Sequence, residues 1–342
     1  MSEFKYPPVD QAAVHRAVEI LRAGGLVAIP TETVYGLAAD ADNEQAVLAT
    51  FAVKGRPTNH PLIVHVAGAE ALDAWARVVP SEARLLAEKF WPGPLTMVLP
   101  KSNRCQGFVT GGQDSVAIRC PSHPWMRELL KEFAGTNYGA VTAPSCNTFG
   151  RISPTSAQHV ADDLGVKPAG KLDMILDGGV CEVGVESTII NLSGKRPEIL
   201  RHGAITREML EAVLGVPVPD AGSDAPRASG RLKSHYAPKT QVKLLTADAI
   251  RQTLADNLSL RAAIMVTEST KAWLEHEGLL RTKAVLTAPQ SEAQYAHTLY
   301  ENLHQLDAFG ADVILIECPP ATPEWAAVND RLGRAAAEKD KA

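Results

Sequence analysis

The sequence predicts an α/β protein in two parts, a larger first domain with a mixed sheet and a smaller, doubly wound second domain. Three observations carry this. Short apolar runs alternate with helical patterns along most of the chain. Strands outnumber helices in the second half of residues 1–213, so a mixed sheet is expected rather than a purely parallel one. Residues 214–240 break both patterns with a stretch rich in Pro, Gly, Ser and Ala, a linker or lid between domains at 1–213 and 241–342. The 342 residues suit two domains.

In chain order, Asp10 is expected to cap a helix through about Ala23, with Val14, Ala17, Val18 and Leu21 on one face. Gly24 and Gly25 end it, and Leu26–Ile29 reads as a buried strand stopped by Pro30. Further strands are expected at 62–66, 95–99, 116–118, 140–143, 174–176, 188–192 and 198–200. Helical patterns lie near 43–53, 81–89, 124–134 and 155–164, with Ser81 and Thr155 as caps. After the linker come strands at 242–245, 262–266 and 313–317 and helices at 247–257, 269–277 and near 291–307. That alternation suggests a small Rossmann-like sheet, although no dinucleotide-type glycine fingerprint is present. Residues 331–342 read as a charged, fraying helix.

Hydrophobic residues make up 45% of the chain, enough for ordinary cores, and the net charge of −5 argues against a globally basic nucleic-acid binder. Any RNA binding is therefore weak and confined to a local patch. Residues 214–240 are the only net-positive section, with 4 Lys and Arg against 2 Asp. The five cysteines, Cys105, Cys120, Cys146, Cys181 and Cys318, form no CxxC pair, so neither a disulfide framework nor a structural zinc site is expected. No signal region or membrane-length apolar stretch is visible, so the simplest expectation is a soluble, cytoplasmic protein.

The chemistry concentrates in polar segments at strand ends. In Lys54-Gly55-Arg56-Pro57-Thr58-Asn59-His60-Pro61-Leu62-Ile63-Val64-His65, Lys54 and Arg56 are two residues apart. In an extended or turning backbone they point the same way and converge on one anion, such as a polyphosphate. Pro30-Thr31-Glu32-Thr33-Val34-Tyr35-Gly36-Leu37 also follows a strand, and its alternating Thr31, Thr33 and Tyr35 suit a zwitterion such as an amino acid. Arg119 ends the apolar strand before Cys120-Pro121-Ser122-His123, and needs an anion, either a structural carboxylate or a substrate's. The loop from Ala143 to Thr155 packs small polar residues, Gly150 and Arg151 before a helix, an arrangement that can hold phosphate or a nucleobase. Helix capping alone would also explain it. Glu32 and Glu186 are the best isolated carboxylates, each with a loop-holding role as the plain alternative. There is no GxSxG elbow, no HExxH and no carboxylate cluster for a dedicated metal site.

Together these segments resemble the threonylcarbamoyl-AMP synthase family in its two-domain form, a YrdC-like catalytic domain followed by a smaller C-terminal domain. The carriers are PTETVYGL (30–37), KGRPTNHPLIVH (54–65), VAIRCPSHP (116–124), APSCNTFGRISPT (143–155), GVESTII (184–190), ILRHG (199–203) and SHYAPK (234–239). The resemblance implies a YrdC-like mixed twisted sheet with an open cleft. It implies synthesis of threonylcarbamoyl-AMP and diphosphate from L-threonine, bicarbonate and ATP, for N6-threonylcarbamoyladenosine modification of tRNA. Thr33, His65, Arg119 and Ser187 match positions that hold L-threonine. Lys54, Arg56, His60, Ser115, Ser145, Asn147, Arg151 and Arg201 match positions around ATP, with Lys54 and Arg56 carrying the catalytic charge stabilisation. Tyr236 matches a linker residue that closes over the nucleotide, with His235 beside it. Mg2+ is implied as a companion of ATP, and a tRNA-modifying threonylcarbamoyl transferase complex as the recipient of the product. Two departures stand out: Cys146 and Phe149-Gly150 replace smaller residues around the expected base, and Ala228-Ser229-Gly230 replaces Ser-Pro-Gly in the linker. The competing classes are an RNA-binding module, disfavoured by charge, and a carbamoyl-phosphate enzyme, disfavoured by the absence of zinc-finger and acylphosphatase-like segments.

Overall fold

The computed structural model describes residues 6–280 and 284–337. They form two compact units. The first runs up to Phe149 and resumes at Ser153–Arg231, and the second takes Gly150–Ile152 and the chain from Leu232 onward.

The first unit is built on a nine-stranded sheet. In chain order its strands are β1 (Val27–Ile29), β2 (Gly36–Asp40), β3 (Ile63–His65), β4 (Leu95–Pro100), β5 (Ser115–Arg119), β6 (Val141–Thr142), β7 (Met174–Ile175), β8 (Thr188–Asn191) and β9 (Glu198–Arg201). Their spatial order is β7-β1-β2-β6-β3-β5-β4-β8-β9. The β1–β7, β3–β5 and β4–β8 pairs are parallel, and the other five are antiparallel, so the sheet is mixed as expected.

Strand alternation sorts the residues between two faces. Leu95, Met97 and Leu99 of β4, Val116 and Ile118 of β5 and Val64 of β3 enter one core with Phe51, Trp75, Leu86 and Phe90. The residues between them, Ile63 and His65, Ser115, Ala117 and Arg119, Thr96 and Val98, fall on the opposite face, and that face carries the polar groups. Helices Gln11–Arg22 and Pro124–Ala134 cover another part of the sheet, packing Val14, Val18, Leu21, Met126 and Leu129 against Val27, Ile29 and Val141. Each such buried aliphatic side chain contributes about 1.5–3 kcal/mol.

Asp10 caps the first helix, its carboxylate accepting from Ala13 N at 3.0 Å. The two other expected caps are corrected. Pro80 occupies the cap of helix Ser81–Phe90, so Ser81 is already its first helical residue. Ser156, not Thr155, caps helix Ala157–Asp163, accepting from His159 N. Strand β2 was hidden because Gly-Leu-Ala-Ala-Asp has little β-propensity and is held by its neighbours. The single-turn helices Leu72–Trp75 and Gly107–Thr110 are too short to show a period. Helix Arg207–Leu214 also lay outside the expected set, although Thr206 is a sound cap for it.

In the second unit β10 (Val242–Leu245), β11 (Ala262–Val266), β12 (Ala284–Thr287) and β13 (Val313–Glu317) form an all-parallel sheet in the order β10-β13-β11-β12. Strand β12 is the addition to the expected set; it is an edge strand, only partly buried, and so lacks a continuous apolar signature. The closing helix spans Ala326–Ala336, earlier than expected, and the end of the expected 331–342 helix lies outside the described residues.

Candidate active site

Strand register and the loops at Thr33 and Ser187 bring the residues expected to hold threonine together. His65 of β3 and Thr96 of β4 flank Arg119 of β5 directly. Arg119 Nη1 donates to Thr33 Oγ1 at 2.9 Å, and Nη2 lies 2.6 Å from Glu32 Oε1. The Glu32 contact is an ion pair and not an aligned hydrogen bond, and Arg119 Nε is buried with no hydrogen-bond partner among the described residues. On the other side of Arg119, Thr96 and Ser187 share a hydroxyl hydrogen bond of 2.7 Å, and Arg201 donates to Ser187 through Nη2 to Oγ and through Nε to the carbonyl, both at 3.0 Å. Burial first, then the Arg119 charge, pushes the His65 imidazole down to about 3, against a ring contact with Ile63 O. His65 is thus neutral at neutral pH.

The Pro30–Leu37 segment departs from its expected alternation. The Thr31 hydroxyl meets both Thr33 Oγ1 and the Val34 backbone, which bends the chain after Thr31. Thr31 and Thr33 stay together, whereas Tyr35 turns into an apolar cluster and donates its hydroxyl to Gly179 O.

Lys54 and Arg56 are not in an extended segment either. Lys54 is the last residue of helix Glu44–Lys54, and Gly55 terminates it in the left-handed conformation at φ 64°. The buried Lys54 ammonium donates to Ser145 O at 2.5 Å and Asn147 O at 2.6 Å, so it fixes the loop that carries both expected ATP residues. Burial, then the nearby Arg56 guanidinium, draws the ammonium down to about 7, with the Asp163 carboxylate acting the other way. Arg56 Nη2 donates to Pro61 O and to Ser229 Oγ, and its guanidinium stacks 5.9 Å from the Phe149 ring centre. His60 meets the same ring edge-on at 5.4 Å. Phe149, one of the sequence departures, is therefore the surface on which His60 and Arg56 pack.

Residues 219–231 form an ordered strap on this unit. Ile199 N of β9 donates to Pro219 O at 2.8 Å and its carbonyl accepts from Ala221 N at 2.9 Å, and Asp220 pairs with His202 and Arg207. Gln113 bonds the Arg227 backbone twice, and Ser229 Oγ donates to Pro61 O at 3.1 Å while its carbonyl accepts from Arg201 Nη1 at 3.2 Å. Strap residues Arg227, Ala228 and Ser229 close a cavity whose floor includes Ser115, Ile63, Val98 and Ile189. A larger cavity lined by Glu70, Arg84, Trp91 and Arg127 gathers none of the expected site residues; Arg84 there is committed to Asp73.

The remaining two ATP expectations, Arg151 and Tyr236, belong to the second unit. Arg151 Nη1 donates to Pro238 O at 3.4 Å. Tyr236 is buried, with its ring 4.2 Å from His235, 5.7 Å from Tyr300 and 5.4 Å from the Arg331 guanidinium. Its φ of 61° is unusual for a bulky residue. Cys146 is a buried thiol pushed up to about 12 by desolvation, which fits packing rather than nucleophilic attack. Sequence reasoning missed Thr96, whose only signal was a hydroxyl inside the apolar run of β4, and the pairing of Glu32.

Mixed sheet, polar face and appended parallel sheet define a two-domain protein of the YrdC-like class. The family described as "Telomere recombination" matches residues 19–203, and the one described as "Threonylcarbamoyl-AMP synthase, C-terminal domain" matches 205–337. Threonylcarbamoyl-AMP synthases of Pyrococcus abyssi and Bacillus subtilis are each 37% identical to the chain, which covers 95% and 93% of their lengths with 96% of its own. The crystal structure of P. abyssi Sua5 complexed with L-threonine superposes with a TM-score of 0.86 at 35% identity, covering 96% of each chain. The chain belongs to the threonylcarbamoyl-AMP synthase family.

Proposed function

We infer that this chain is an L-threonylcarbamoyladenylate synthase, a nucleotidyltransferase that converts L-threonine, bicarbonate and ATP to threonylcarbamoyl-AMP and diphosphate. Full-length similarity to synthases of that name supports the reading. The observation that carries it to the site is the contact chain Thr33–Arg119, flanked by His65 and Thr96 and continued by Ser187 and Arg201.

In this reading the threonine amine adds to CO2 derived from bicarbonate, a carbamate oxygen attacks the α-phosphorus, and diphosphate leaves. The protein positions the reactants and offsets charge. Arg119 takes the threonine carboxylate, with Thr33, His65 and Ser187 around the rest of the molecule. Lys54 acts on ATP through the loop it clamps, placing Ser145 and Asn147, while Arg56 and Arg201 face the phosphates and His60, Ser115, Arg151 and Tyr236 complete the nucleotide site. Among the described residues no three His, Cys, Asp or Glu side chains are placed to hold a metal ion, and in this reading Mg2+ enters on the ATP phosphates. Ser229 contacts both Arg56 and Arg201, so the strap must yield those groups when phosphates reach them, and its return shields a hydrolysable product. The product passes to a tRNA-modifying threonylcarbamoyl transferase complex in the cytoplasm, and RNA contact by this chain itself is weak. No described helix is long and apolar enough to cross a membrane.

The test is incubation of the purified chain with ATP, Mg2+, bicarbonate and L-threonine. Threonylcarbamoyl-AMP by mass spectrometry, together with diphosphate release that vanishes without threonine, is the expected outcome. ATP bound without turnover would sink the reading.

A further inference from the structure

An amino acid arrives as a zwitterion, and Arg119 answers only its carboxylate. Beside Arg119 lies one more charged group, Glu32, which is 1% exposed. Its backbone carbonyl accepts from Val183 N at 2.7 Å and its Oε2 from Ser122 N at 3.1 Å, so the side chain is fixed at both ends. Its Oε1 is buried and makes no aligned hydrogen bond, although it touches Arg119 Nη2. An acceptor of negative charge and a donor of positive charge, Arg119 Nε, are thus both buried, both lack a hydrogen-bond partner, and sit on adjoining groups next to Thr33.

We propose that Glu32 receives the α-ammonium of the amino-acid substrate, so that Glu32 and Arg119 recognise the zwitterion as a pair. The inference rests on the reading of this site as the threonine site. The charge balance favours it. Glu32 and Arg119 compensate each other when buried, and a zwitterion adds no net charge to them. A carboxylic acid lacking the ammonium would bring a second negative charge beside Glu32 with nothing to offset it. The pair therefore selects amino acids against hydroxy acids of the same skeleton.

The other titratable groups acting on or near Glu32 are Arg119, His123, Cys120, Cys181 and Tyr6. Burial pushes His123 down to about 4 and Cys120 up to about 11, and raises Cys181 and Tyr6 further. His123, Cys120, Cys181 and Tyr6 thus keep their neutral forms around neutral pH, whereas the substrate amine loses its proton in the alkaline range.

The experiment measures KM for L-threonine and the inhibition constant of 2,3-dihydroxybutyrate in the diphosphate assay, for the wild-type chain, Glu32→Gln and Glu32→Asp. Glu32→Gln is expected to raise the threonine KM by about 10- to 100-fold, the loss of one charged contact. It should leave the ATP KM within about twofold and bind the dihydroxy acid no worse than the wild type. The penalty for threonine should shrink as rising pH removes the ammonium charge, and Glu32→Asp should recover part of the preference. Equal weakening of both ligands, or an unchanged threonine KM, overturns the proposal and leaves Glu32 a support for Arg119. If Glu32→Gln does not fold, the wild-type pH series and Glu32→Asp report the same ratio. Failure of the underlying reading looks different: the wild-type chain itself would not turn over threonine.

Discussion

Arg119, Glu32, His65 and His123 show how burial assigns charge at the scale of single residues. The first two are compensated and carry opposite charges; the two histidines are buried and held well below their usual range, His65 to about 3 and His123 to about 4. In the unfolded chain both histidines protonate near 6.5. As pH falls from 6.5, the unfolded state binds protons that the folded state refuses, so stability is present above that pH and is lost through the folded values. At pH 5 each costs about 2 kcal/mol relative to pH 7. His123 caps helix Pro124–Ala134 by accepting from Trp125 N, a task asparagine also performs. His123→Asn should therefore keep the fold and reduce the stability drop between pH 7 and pH 5 by about 2 kcal/mol, read from urea unfolding at the two pH values. An equal drop in variant and wild type would mean that His123 does not resist protonation.

The strap is the element whose behaviour follows least from its composition. Its Pro, Gly, Ser and Ala residues bring no secondary structure of their own, yet Asp220, Arg227 and Ser229 tie it to β9, Gln113, Pro61, Arg56 and Arg201. Those ties are few and partly exposed, so the strap is expected to open far more often than the sheet beneath it. Ser229→Ala removes one hydroxyl that both donates and accepts, worth about 1 kcal/mol. Limited trypsin cleavage after Arg227 or Arg231 should then run about 5-fold faster, provided opening is quicker than cleavage. No change in cleavage would show that Ser229 does not hold the strap.

For the whole molecule, the second unit has its own buried centre at Tyr236. Buried Arg331 pairs with Asp330 at 2.8 Å and faces the Tyr236 ring, while Arg334 donates to Leu232 O and its carbonyl accepts from His235 N. The closing helix thus grips the stretch around the unusual φ of Tyr236. Arg331→Met leaves Asp330 without one of its two guanidinium partners and should destabilise this unit by about 3 kcal/mol. Hydrogen exchange in β10 and β13 should accelerate correspondingly, and unchanged exchange there would remove Arg331 from the account.

Much of this was legible in the sequence. The apolar periods placed most strands and the longer helices, since hydrophobic alternation is what a strand or helix needs before it can bury a face. Arg119 after an apolar strand, Thr33 in the polar loop after β1 and Lys54 beside Arg56 were legible as candidate site residues, because a buried polar group needs a partner. Partners were not legible. Glu32 and Arg119 are 87 residues apart, Thr96 and Ser187 are 91 apart, and only the folding of distant segments brings them within bonding distance. Most of the elements, the family and the side chains with chemistry to offer follow from local pattern and composition. The tertiary structure alone decided that Lys54 spends its charge on the loop of Ser145 and Asn147, that Ser229 spans two arginines, and that Tyr35 leaves the polar face while Glu32 joins it. Each of those outcomes is a competition among distant groups for a buried partner, and a linear pattern carries no information about which group wins.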